Sequence, residues 1–158
     1  METTYSESDR YGFLTFLWTV FATTALALLV LWICGGYMAT VPNRPMFMMP
    51  LVGLFVLDAA TRALYGLSLY LTMRSDRSAA RQASLTMWTI TFIMSLALIP
   101  VLFVLGWTVF AFVWLIAMIG ITTAQFLVNF KVSIAAALTV LPYWALLIYG
   151  ACILFAIL

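Results

Sequence analysis

Two side chains of opposite charge, Asp58 and Arg62, lie inside an otherwise apolar stretch of the sequence. Four residues apart on a helix, they share one face and can pair. Polar residues continue that face at spacings of three and four: Asp58, Thr61, Arg62, Tyr65, Ser68 and Thr72. At the centre of a bilayer an unpaired charge costs about 2.5–3.5 kcal/mol on insertion scales. Such a stripe must therefore turn toward protein rather than lipid. The chemistry open to the pair is that of a ligand counter-ion or a step in a proton path. The structural alternative is a salt bridge that fixes helix packing or docks another subunit. No further acid lies in an apolar stretch to continue a relay. The structural role is therefore the expectation, and Asp58→Asn is expected to harm assembly more than activity.

Other chemistry is removed by what the chain lacks. It has no histidine. That excludes His-ligated haem, His-containing zinc sites, Ser-His and Cys-His nucleophile pairs and histidine proton relays. Cys34 and Cys152 both stand in apolar stretches with no CxxC spacing, and they read as buried free thiols rather than a bridge. No metal site and no activated nucleophile is visible, so an enzyme is the weakest of the functional readings.

Weaker polar stripes recur elsewhere. Thr15, Thr19 and Thr23 repeat every four residues, as do Thr91 and Ser95, and Thr122, Gln125 and Asn129 line one side of a later segment. A polar cavity is one reading. Hydrogen bonding and small-residue packing between helices, worth about 0.6 kcal/mol per contact, is the simpler one.

The elements that must position these residues are long and apolar. Apolar residues make up 66% of the 158 and charged residues 8%. A soluble chain of this size could not cover such a surface, which excludes a cytosolic globular enzyme and a disordered chain. A net charge of +2 leaves no basic patch able to grip nucleic acid. Five apolar segments, at about 11–37, 47–73, 85–105, 106–128 and 133–158, each reach the length that crosses a hydrocarbon core as a helix. The predicted fold is all-α: a single five-transmembrane-helix bundle behind a polar N-terminal tail over 1–10. The tail carries Glu2, Glu7 and Asp9, unlike a basic signal-peptide leader. Short connections make sequential helices antiparallel. Gly106-Trp107 gives an almost direct reversal, and Pro100 and Pro142 are expected inside helices, bending them.

Basic residues set the orientation. Arg10, Arg74, Arg77, Arg81 and Lys131 fall on one side and Arg44 alone on the other. The N-terminus is therefore expected on the inner (cytoplasmic or matrix) side. Tyr11, Tyr37, Tyr70, Trp88 and Trp107 fall near segment ends and are expected in the interfacial belt, while Trp114 and Trp144 find no place in that pattern. The sequence ends ILFAIL, so its last residues are expected near the interface or under neighbouring protein.

Several of these stretches resemble the translocator protein family, the tryptophan-rich sensory proteins (TspO/MBR). The first helix opens Phe13-Leu-Thr-Phe-Leu17. Pro45-Met-Phe47-Met-Met-Pro50 is similar to the family's proline–tryptophan start of helix two, with Phe47 in the tryptophan's place. Leu69 to Arg74 is similar to the end of that helix, Ser95 to Phe103 to the third-helix motif, and Ser133 to Ala145 to the start of helix five. Pro100 and Pro142 stand at about the family's separation. The sequence departs where the third-helix asparagine and its two nearby tryptophans are Ser95, Leu96 and Leu98, and no basic residue follows Tyr149 to complete a cholesterol-recognition pattern. Asp58 and Arg62 have no family counterpart.

The resemblance implies a five-helix, non-enzymatic membrane protein of a mitochondrial or bacterial membrane. It would bind or carry a hydrophobic planar ligand, a porphyrin or sterol, in a cavity under the first loop, with no other cofactor and no metal. Phe47, Ser95, Pro100, Tyr143, Tyr149 and Gly150 would be its cavity residues. Membrane lipids and a second copy of the chain, or other membrane subunits, would be its partners. The alternative is a structural accessory subunit of a large respiratory or photosynthetic membrane complex that reuses the fold.

Overall fold

The computed structural model describes residues 3–38, 49–75 and 78–158. They form α1 (Thr3–Met38), α2 (Leu51–Arg74), α3 (Ala79–Phe103), α4 (Thr108–Phe130), α5 (Ile134–Leu138) and α6 (Leu141–Ile157), with no strand among the described residues. Five spans are long and apolar enough to cross a membrane: Leu14–Cys34, Val52–Arg74, Ala79–Phe103, Thr108–Phe130 and Ile134–Ile157. The last contains both α5 and α6. The fold is the expected five-span helical bundle.

The ends of the elements differ from the sequence reading for local reasons. Residues 3–10, expected as a tail, continue α1, because polarity alone does not stop a helix and no Pro or Gly interrupts them. α3 starts at Ala79, earlier than residue 85. Ser78 is extended and its hydroxyl accepts from Arg81 N at 3.1 Å, a cap that the apolar pattern does not reveal. α3 closes where Val104 N and Leu105 N both donate to Pro100 O, at 2.9 and 3.1 Å. Gly106 then takes φ 67°, the left-handed conformation that suits glycine, and the chain reverses into α4.

The fifth apolar segment is not one helix. α5 ends at Leu138, where Thr139 N and Val140 N bond back to Ala135 O and Ala137 O. α6 restarts at Leu141 with Pro142 in its first turn, where a missing N–H leaves nothing unpaired. Pro142 therefore starts a helix rather than bending one, whereas Pro100 does lie inside α3.

The bundle is built around α2, which packs against α1, α3, α5 and α6, while α4 packs against α3, α5 and α6. Its outside is apolar: Trp18, Phe21, Trp32, Val52 and Phe155 are all at least 70% exposed. Its inside holds the polar stripes. Thr61, Arg62, Ser68 and Thr72 of α2, Ser84, Thr91 and Ser95 of α3, and Thr122, Gln125 and Asn129 of α4 are all buried. Asn129 joins four elements: its Oδ1 accepts from Ser84, and its Nδ2 donates to Ser68 Oγ and Ala136 O, both at 3.3 Å. Ser68 Oγ also donates to Ala136 O at 3.0 Å.

The α1 threonines do something else. Thr19 and Thr23 donate to Thr15 O and Thr19 O of their own helix, at 3.0 and 2.7 Å. The Thr23 side chain and the backbone of Thr19 and Val20 pack on Gly66 of α2. A Cβ at Gly66 would sit 2.6 Å from Thr23 Oγ1 and 3.0 Å from Val20 Cα, so this glycine sets how closely α1 approaches α2.

The structure corrects two further expectations and places two tryptophans that the interfacial pattern left out. Trp88 is in the core rather than the interfacial belt, because its ring stacks between Tyr65 and Phe92 and its Nε1 donates to Tyr65 O at 2.9 Å. Cys34 is buried, but Cys152 lies on the exposed face of α6. Trp114 and Trp144 are held by their indole N–H groups, donating to Met94 O at 3.0 Å and Thr123 Oγ1 at 2.9 Å.

Candidate functional site

Helical spacing delivers Asp58 and Arg62 one turn apart, and they pair with Arg62 Nε donating to Asp58 Oδ2 at 2.8 Å. α3 supplies the next partner. Arg62 Nη1 donates to Ser95 Oγ at 2.9 Å, and Ser95 Oγ donates to Phe92 O of its own helix at 2.8 Å. α6 supplies the third wall, with Arg62 Cζ lying 5.8 Å from the centroid of the Tyr143 ring, a cation–π contact. The guanidinium is thus fixed from three helices.

Behind it runs a ladder of rings. Tyr143 stacks on Tyr65 with centroids 4.4 Å apart, Tyr65 on Trp88 at 5.3 Å, and Trp88 on Phe92 at 5.0 Å. Tyr65 Oη donates to Gln125 Oε1 at 2.7 Å, which ties the ladder to α4. Tyr143 is buried in this group, and its Oη has no hydrogen-bond partner among the described residues.

The pair faces a half-enclosed cavity of about 200 Å³. α2 contributes only its first half to the lining, α3 only Ser95 to Phe103, α4 only Leu115 and Met118, and α6 Tyr143 to Leu154. In antiparallel helices these pieces lie at one end of the bundle, the end where α2 starts and Gly106 reverses the chain. Arg62, Ser95 and Tyr143 are the lining residues farthest from that end on their helices, so the polar groups make the floor. Apolar side chains such as Leu54, Phe55, Leu98, Leu102 and Ile153 make the walls.

Of the residues named from the resemblance, Ser95, Tyr143, Tyr149 and Gly150 line this one cavity together with Asp58 and Arg62. Tyr149 also accepts at its Oη from Met49 N at 3.0 Å, which pins the start of α2 to α6. Pro100 does not line the cavity; it shapes the end of α3 through its carbonyl. Phe47 lies outside the described residues. The apolar wall residues carried no signal in the sequence, since a Leu facing a cavity and a Leu facing lipid look alike.

Five apolar helices with a cavity inside the bundle make this a multi-pass integral membrane protein. The TspO/MBR family model matches residues 19–158, nearly the whole chain, and the protein belongs to that family. No curated protein matches the chain.

Proposed function

We propose that this protein is a non-enzymatic membrane binder or carrier that takes a hydrophobic planar ligand, of the porphyrin or sterol class, into the cavity between α2, α3 and α6. The observation that carries this reading is the cavity itself. Its walls are mainly apolar and its charged pair lies at the floor, as a site for a hydrophobic ligand with one polar end requires. Family membership supports the same reading. The cavity end of the bundle is then the outer side, with the N-terminus inside, as the distribution of Arg and Lys favours. The accessory-subunit alternative drew in part on the embedded ion pair as a docking device, and the pair's position at the cavity floor favours the binder.

The test is a titration of the purified protein with protoporphyrin and with a sterol, followed by intrinsic tryptophan fluorescence. A saturable response to one of them is expected. Gly150→Phe, whose ring would grow from the cavity wall, is expected to abolish it. No saturable response to either class would contradict the proposal.

A further inference from the structure

Resting on the cavity-binder reading, we infer that the floor of the cavity discriminates by charge: it selects an uncharged, hydroxyl-bearing lipid over one ending in a carboxylate. Asp58 and Arg62 already neutralise one another at 2.8 Å. Of the two, Asp58 is the more open, its side chain 16% exposed against 8% for Arg62. An arriving ligand therefore meets a carboxylate first. Asp58 commits Oδ2 to Arg62, and no donor among the described residues reaches its Oδ1. Arg62 commits Nε and Nη1, and its Nη2 carries no bond to a described residue.

The floor thus offers one acceptor, on Asp58, and one donor, on Arg62, from a single ion pair. A hydroxyl answers both, donating to Asp58 and accepting from Arg62. A ketone can only accept and leaves Asp58 unanswered. A carboxylate head adds a third charge to a balanced pair, faces Asp58 with like charge, and leaves the site net negative where desolvation is costly. An ammonium head unbalances it in the opposite sense. The two carboxylates of a natural porphyrin fit this floor poorly.

Retinol and retinoate share a polyene that quenches tryptophan and differ only at the head, so they make a matched pair of probes. The full chain in lipid nanodiscs is titrated with each, referenced to protein-free nanodiscs. The wild type is expected to bind retinol at least about tenfold more tightly than retinoate. Asp58→Asn, which leaves Arg62 as a net positive charge, is expected to reverse the preference. The double variant Asp58→Leu/Arg62→Met removes both charges together, a change that buried pairs tolerate, and is expected to reduce the difference to within about twofold. If Asp58→Asn does not fold, the wild type and the double variant decide the question. Equal or tighter retinoate binding by the wild type would overturn the inference, as would a preference that survives in the double variant. Either result leaves the cavity-binder reading standing. Absence of saturable binding for both probes would overturn that reading and the inference with it.

Discussion

A buried ion pair in a membrane protein is held by the partners around it. Arg62 is fixed by Asp58, Ser95 and the Tyr143 ring, so removing either charge leaves the other buried and unanswered. Arg62→Ala is expected to destabilise the fold by about 3–5 kcal/mol, whereas Asp58→Leu/Arg62→Met should lie much closer to the wild type. Unfolding by SDS titration in mixed micelles measures both. A single variant as stable as the wild type would contradict the arrangement. At this scale the sequence was partly legible. The four-residue spacing of Asp58 and Arg62 revealed the pair and its inward face. Ser95 was marked by the Thr91/Ser95 stripe and the family resemblance, and Tyr143 by the resemblance alone; their contact with Arg62 depends on how α3 and α6 are set against α2, and spacing within one helix holds no information about that. Trp88 was misplaced for a related reason: a tryptophan near the end of an apolar span reads as interfacial unless its stacking partners, here Tyr65 and Phe92, are known.

Beside the aromatic and aliphatic core, small and polar side chains set how closely particular helices approach. Gly66→Leu would force α1 away from α2, since even a Cβ there meets Thr23 and the backbone of Val20. A loss of about 1–3 kcal/mol is expected in the same unfolding assay. Gly120→Ala, with nothing within 4 Å of the added carbon, is the matched control and should be near neutral. Asn129→Leu leaves Ser68 and Ser84 without a shared partner and should cost about 1–3 kcal/mol. The five spans were legible because length and apolarity alone decide whether a segment crosses a bilayer. Their ends were not. The capping hydroxyl of Ser78 and the break after Leu138 are local backbone events inside or beside apolar runs. Pro142 hinted at the break, but a proline within an apolar run fits a bent helix as well as a restarted one.

Among the described residues, buried polar groups line the inside of the bundle, its outer face is apolar, and the cavity lies toward one end. The expected orientation places that end outside the compartment that holds the N-terminus. In a background with Cys34 and Cys152 replaced by alanine, a cysteine introduced at the exposed Ala79 position should resist an impermeant maleimide added outside sealed vesicles. Ready labelling there would reverse the orientation. The central claim is that the cavity is where the ligand sits, and photo-crosslinking tests it most directly. A long-chain alcohol carrying a photoactivatable group along its tail is bound to the protein in nanodiscs, irradiated, and its adducts mapped by mass spectrometry. The expected adducts fall on the cavity walls, within Leu98–Phe103 of α3 and Leu146–Leu154 of α6, and are displaced by excess unlabelled alcohol. Adducts confined to the outer face, on residues such as Phe21, Trp32 and Phe155, and insensitive to competition, would contradict it.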